Sequence, residues 1–361
     1  ARSAGLVLCG GATDAVLLGF VTTLPRVELA PVLVDGAPLS GAVELGAGFR
    51  HACARRMDGT VLCWGDNGSG QLARPSLASA PAPIEDPATG MPVSDAESLA
   101  VGVSFTCVAR DGGGVFCAGL DNAGQLGQGA PSEGGPGLRQ VLLDGTRTSV
   151  RGVSDLDVAG FHGCGLQDPG VACWGRGDRG QLGSDAPPRD SRGAVTAALT
   201  DLETHPARDV FTGFLHSCAL LANGELWCWG EMSDGLGGIG TFFSFDTPTR
   251  IEGLPLGRRL VKGSGGGHVC VVTEEAALSC FGRNDGGQLG DGTTQSRVEP
   301  GFVLQADGTP LDGVQGVAET QVNTCATLAF GEVYCWGASS LWLEPMAPPR
   351  TVPTRIELAC P

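Results

Sequence analysis

The residues with the widest chemical repertoire in this 361-residue chain are its fourteen cysteines and five histidines. Twelve cysteines fall into six pairs: Cys53 with Cys63, Cys107 with Cys117, Cys164 with Cys173, Cys218 with Cys228, Cys270 with Cys280, and Cys325 with Cys335. His51, His162, His216 and His268 each stand two residues ahead of the first cysteine of a pair. Such a set can hold a metal, carry thiol chemistry or form disulfides. Zinc sites favour about two to four residues between paired ligands, with two pairs converging on one ion. Here eight or nine residues intervene and each pair belongs to a different unit, so disulfides lead, ahead of buried thiols and of metal.

The elements that must position these residues are hairpins. Cys53 and Cys63 are symmetric about Asp58, and a three-residue loop Met57-Asp58-Gly59 sets them directly opposite each other on antiparallel strands. The third loop position is left-handed, which suits glycine, and Gly59, Gly113, Gly224 and Gly331 occupy it. The third unit is one residue shorter and turns at Asp168-Pro169. Opposed residues lie about 4.5–5.5 Å apart at Cα, the short end of what a disulfide accepts. Loop entropy gives each such bridge about 2.5–3 kcal/mol before strain. Disulfides imply an oxidising compartment, so the expected location is extracellular, cell-surface or periplasmic, with any leader peptide already removed.

Two cysteines remain, Cys9 and Cys360. GLVLCGG at 5–11 resembles TVLCWG at 60–65, while VPTRIELACP at 352–361 resembles LPRVELAP at 24–31. The chain therefore begins by finishing a unit and ends by starting one, and a Cys9–Cys360 clasp is expected to close a ring. First cysteines recur at a spacing of about 54 residues, near the range of propeller blades.

Further repeat marks are GDNGSGQLA (65–73), GLDNAGQLG (119–127), GRGDRGQLG (175–183) and GRNDGGQLG (282–290). Together the G-x-x-H-x-C-A, D-G-x-V-x-C-W-G and N-x-x-G-Q-L-G series resembles the regulator of chromosome condensation repeat, over nearly the whole chain. That resemblance implies an all-β, seven-bladed propeller with four-stranded blades: a single domain over 1–361, with 24–350 as six repeat units and 1–23 plus 351–361 as a composite closing blade. It also implies protein binding, since several family members bind a small GTPase or a β-lactamase.

Composition narrows the function classes. Net charge is −16 and Lys262 is the sole lysine, so the phosphate-neutralising patch of a nucleic-acid binder is not expected. No run of eighteen apolar residues suggests a membrane-spanning helix. No G-x-S-x-G elbow, H-E-x-x-H or phosphate loop occurs, so neither catalysis nor a cofactor is expected. The repeated histidines and Gln71, Gln125, Gln181 and Gln288 read as blade packing, and Trp64, Trp174, Trp229 and Trp336 as blade core. The Asp285-Gly286 and Asp291-Gly292 pairs read as ordinary turns. TFFSFDTP (241–248) replaces a polar segment of the sister unit TTQSRVEP (293–300). Phe242, Phe243 and Phe245, with Trp342, are thus either packing or a candidate partner surface. The expected function is a disulfide-stabilised binding or scaffold module; a structural subunit of an extracellular layer or filament is the alternative, and a propeller lyase or hydrolase ranks third.

Overall fold

A computed structural model describes residues 7–11, 26–77, 79–129, 131–184, 193–200, 202–231, 244–262, 267–320, 322–338 and 348–356. Among these residues the chain forms six four-stranded antiparallel sheets. Blade one holds Ala42–Ala47, His51–Arg56, Val61–Gly65 and Ala82–Pro83, from inner strand to outer. Blade two holds Ala96–Val101, Phe105–Arg110, Gly114–Gly119 and Gly135–Gln140. Blade three holds Val153–Ala159, His162–Gln167, Gly170–Gly175 and Val195–Thr196. Blade four holds Ala207–Thr212, His216–Leu221, Leu226–Glu231 and Ser244–Arg250. Blade five holds Gly257–Leu260, His268–Thr273, Leu278–Gly282 and Arg297–Phe302. Blade six holds Val314–Glu319, Asn323–Leu328, Val333–Gly337 and Arg350–Ile356. The result is a β-propeller.

The second and third strands of each blade are the cysteine hairpin. In register, Cys53 faces Cys63, Cys107 faces Cys117, and Cys164 faces Cys173. Cys218 likewise faces Cys228, Cys270 faces Cys280, and Cys325 faces Cys335. All six pairs are disulfides, as the spacing predicts, with Cα–Cα distances of 4.0 to 4.2 Å. That is closer than the expected separation, and belongs to the narrow class of opposed pair that exchanges no backbone hydrogen bonds. Gly59, Gly113, Gly224 and Gly331 have φ of 79°, 70°, 84° and 80°, the left-handed turn position anticipated for them.

The core lies between blades. One buried cluster joins Phe105, Cys107 and Val115 of blade two to Leu156, Val158 and Trp174 of blade three, and another joins Phe211 and Cys218 of blade four to Leu260, Val269 and Phe281 of blade five. Each sheet is thus apolar on both faces, which the period-two alternation of a half-exposed sheet would not supply.

Closure differs from expectation in what can be described. The closing blade is represented among the described residues by one two-stranded sheet, Leu8–Gly11 with Arg26–Pro31, not by four strands. Arg350–Ile356 pairs with Val333–Gly337 as the outer strand of blade six, and Arg26–Pro31 is likewise the partner of Leu8–Gly11. The P-T-R-I-E segments therefore finish the blade before them, and repeat unit and blade are out of step by one strand. Cys360 lies outside the described residues, so the Cys9–Cys360 clasp stays an expectation.

Candidate functional site

Three of the four repeat histidines are spent on joining blades. His51 Nε2 lies 2.9 Å from Thr106 Oγ1 of the next blade, His162 Nε2 2.8 Å from Ser217 Oγ, and His268 Nε2 3.0 Å from Thr324 Oγ1. Each hydroxyl donates in turn to the backbone carbonyl of a repeat glutamine: Thr106 to Gln71 at 2.8 Å, Ser217 to Gln181 at 2.9 Å and Thr324 to Gln288 at 3.0 Å. A hydroxyl has one proton, so each histidine is the donor, through Nε2–H. Two of these carbonyls accept a second hydrogen bond from the tryptophan one blade on, Trp229 Nε1 to Gln181 at 2.9 Å and Trp336 Nε1 to Gln288 at 2.8 Å. Trp174 Nε1 reaches the Gln125 carbonyl at 3.2 Å. The glutamine side chains steady their own loops, Gln71 Oε1 accepting from Ser69 N and Gln288 Oε1 from Gly286 N, both at 2.9 Å.

In blades one and four the glycine three residues ahead of the histidine is required sterically. A Cβ at Gly213 would overlap His216 Cε1, and one at Gly48 would sit 2.6 Å from His51 Cε1. The ring occupies the space a side chain would need.

Two junctions lack the relay. Between blades two and three Phe105 and Gly163 replace the histidine and the hydroxyl; between blades four and five Val269 stands in place of the hydroxyl, and neither ring nitrogen of His216 has a hydrogen-bond partner among the described residues. Blade five also carries Phe281 where blades one, three, four and six carry tryptophan. An isosteric Thr106→Val exchange should reproduce that condition at blades one and two, stranding the His51 N–H and removing one donor from the Gln71 carbonyl. A loss of about 1–3 kcal/mol is expected, read as a lower urea midpoint at unchanged m.

Burial holds all four rings neutral: His51 and His216 fall to about 4, His162 and His268 to about 3. Desolvation is the dominant cause in each. A ring that stays neutral at pH 7 and donates to a fixed hydroxyl is no proton shuttle.

The central channel is the remaining candidate. A cavity of about 1060 Å³ is lined by the inner strands of all six blades. The lone lysine is its electrostatic centre. Lys262 Nζ pairs with Asp155, lies 3.2 Å from the Leu156 carbonyl and 3.9 Å from Asp209 Oδ1. Burial acts to depress the Lys262 ammonium, but Asp155, Asp157 and Asp209 together hold it above its ordinary value. Burial pushes Asp157 up to about 7 against the pull of Lys262 and of hydrogen bonds from Thr212 N at 2.6 Å and Thr212 Oγ1 at 3.0 Å. Asp209 is raised for the same reason and accepts from Leu260 N at 2.7 Å. Glu44 similarly accepts from Leu99 N at 3.1 Å. These carboxylates tie the inner strands of blades one and two, three and four, and four and five while facing the channel. Sequence reading missed them, although an acidic residue seven positions before the histidine recurs as Glu44, Asp155 and Asp209.

Phe245 is half-buried and packs against the blade four and five cluster, which is packing and not an exposed anchor. Phe242, Phe243 and Trp342 lie outside the described residues.

Six disulfide-pinned sheets joined by buried polar relays around a charged channel define a repeat β-propeller. The chain carries regulator of chromosome condensation repeats: profiles described as "Regulator of chromosome condensation (RCC1) repeat" match residues 42–71, 207–236 and 58–109. It is 29% identical over 314 residues to the human E3 ubiquitin-protein ligase HERC2, across 85% of this chain and 6% of that protein. It is 32% identical over 200 residues to the ultraviolet-B receptor UVR8 of Arabidopsis thaliana, across 55% of this chain and 44% of that one. The chain thus spans a small part of HERC2 and under half of UVR8. Among solved structures, Prp20p of Saccharomyces cerevisiae superposes with a TM-score of 0.76 at 21% identity, covering 99% of this chain and 87% of that one. Human WBSCR16 gives 0.77 at 18%, covering 97% and 93%. These likenesses show the fold.

Proposed function

We propose that this propeller is an exported protein-binding scaffold without catalytic activity of its own. The observation that carries the reading is where the reactive side chains go. Three of the four repeat histidines are committed to interblade hydrogen bonds, the fourth, His216, is buried and neutral, and the paired cysteines are disulfides, which leaves loops on a rigid frame as the variable, presentable surface. Six disulfides support an oxidising compartment. The solved structure of Prp20p is described by its binding to Gsp1p and histones, and that of yeast RCC1 (Prp20) by binding to Kap60, which supports a protein partner as the class of ligand. With a net charge of −16, a basic partner is electrostatically favoured over an acidic one.

The test is affinity capture from the native surroundings with purified wild-type protein and a Phe242→Ala/Phe243→Ala variant, followed by reconstitution with the captured protein at defined concentrations. A stoichiometric complex that the variant weakens at least about tenfold places the contact on the Phe242–Phe243 segment. Retention by the variant moves the contact elsewhere on the ring. Concentration-dependent polymers with no partner would instead make the chain a structural subunit, and would overturn the binding reading.

A further inference from the structure

Glu319 breaks the pattern of its own repeat. It ends the inner strand of blade six, opposite Thr324, the residue before the first cysteine. The corresponding opposed positions in blades one to four are Ala47, Val101, Val158 and Thr212. All four are uncharged, whereas Glu319 is a carboxylate with a side chain that is 0% exposed. Neither of its oxygens makes an aligned hydrogen bond, an arrangement that costs several kcal/mol in an interior unless something else occupies the site.

What surrounds it is a donor set. His268 Nε2 lies 3.1 Å from Glu319 Oε2, and the ligand atoms of His268, Cys270 and Glu319 all fall within 4.8 Å of one another, all buried. Imidazole, thiolate and carboxylate are the three side-chain ligands of zinc, with bonds of about 2.0–2.3 Å, so closing on one ion asks for movements of about an ångström or less. In the oxidised chain Cys270 is bonded to Cys280 and cannot ligate.

We propose that reduction of the Cys270–Cys280 disulfide opens a zinc site at the junction of blades five and six, with His268 Nε2, the Cys270 thiolate and the Glu319 carboxylate as its protein ligands. A dithiol reductant supplies two electrons and two protons to the disulfide and is itself oxidised to a cyclic disulfide. Zinc then displaces the Cys270 thiol proton and the proton on the Glu319 carboxyl to solvent. The His268 N–H proton moves to Nδ1, which has no other partner among the described residues. Water or the Cys280 thiolate completes the tetrahedron.

Blade one provides an internal control. His51, Cys53, Cys63 and Thr106 repeat the geometry of His268, Cys270, Cys280 and Thr324, with Val101 where Glu319 stands. Cys280→Ser leaves one thiol at Cys270 with the other five hairpin disulfides intact, and Cys63→Ser does the same at Cys53. Zinc and cobalt(II) are titrated into each by equilibrium dialysis, with the sulfur-to-cobalt charge-transfer band as a second readout. Cys280→Ser should bind one ion at least about tenfold tighter than Cys63→Ser and show the band, and adding Glu319→Gln should bring it to the Cys63→Ser level. Equal affinity in Cys280→Ser and Cys63→Ser overturns the site, as does an unchanged affinity with Glu319→Gln. Should Cys280→Ser fail to fold, the wild-type chain is partly reduced with a trialkylphosphine and alkylated with and without zinc. Selective protection of Cys270 over Cys53 then supports the site, and equal labelling of the two overturns it.

Discussion

Between pH 6.5 and 4 the ring should lose stability, because its four buried histidines must take up protons that the folded state refuses. Their folded values, about 4 for His51 and His216 and about 3 for His162 and His268, lie below the ordinary 6.5. For a depressed histidine the stabilisation is complete above pH 6.5 and is lost as pH falls toward the folded value, since the unfolded chain binds the extra proton. One proton corresponds to about 1.4 kcal/mol per pH unit, so four acting together give about 5 kcal/mol per unit in the middle of that window. Raised carboxylates oppose this. Asp157, pushed up to about 7, and Glu319, held well above its usual range by burial, keep protons in the native state, and so gain stability as pH falls through the same interval. Asp209 and Asp121, also raised by burial, oppose the histidines further, so at least two of the four protons are cancelled and the net slope is at most about 2–3 kcal/mol per pH unit, set against total stabilities of about 5–15 kcal/mol for globular proteins. Urea midpoints measured from pH 7.5 to 4 read the slope. His162→Asn should flatten it by about 1.4 kcal/mol per unit while lowering stability at pH 7.5 through the weakened relay to Ser217. A slope that His162→Asn leaves unchanged would mean the His162 ring is reached by water.

The hairpins were legible in the sequence because two local rules agree there. Cysteine spacing symmetric about an Asp-Gly and a glycine at the left-handed turn position each select the same register, and the structure adopts it in Cys53–Cys63, Cys107–Cys117 and Cys218–Cys228. The role of the histidines was only half legible. That they pack rather than catalyse follows from their repetition in separate blades, but their partner lies some 55 positions away, as in His51 and Thr106. It shows in the sequence only as a pairing across repeats: the junction with Val269 and Phe281 in place of hydroxyl and indole is the one whose preceding unit lacks the G-Q-L-G loop. The channel charges were missed because no local propensity governs them. Asp155, Asp209 and Lys262 sit on three different blades and meet only when the ring forms. The offset between repeat unit and blade escaped for a related reason, since P-T-R-I-E marks a strand without saying which sheet takes it.

Trp229→Ala should be among the most damaging single changes, costing about 3–5 kcal/mol, because the indole is fully buried between blades three and four and the void cannot collapse against a disulfide-braced sheet. Volume is only part of that cost, and the remainder is accessible through the Gln181 carbonyl. It accepts from Trp229 Nε1 and from Ser217 Oγ, both at 2.9 Å. Trp229→Phe removes one donor and keeps most of the apolar bulk, and Ser217→Ala removes the other while stranding the His162 N–H. Each leaves the carbonyl with a partner, so each alone should cost about 1 kcal/mol for the carbonyl, with a further cost for His162 in the second. The double variant leaves the carbonyl buried with no donor, and the loss should exceed the sum of the singles by about 1 kcal/mol or more, a positive coupling that a double-mutant cycle in urea measures directly. Additive losses would show that the carbonyl finds a replacement donor, and the shared acceptor would then cease to be what makes adjacent blades unfold as one unit.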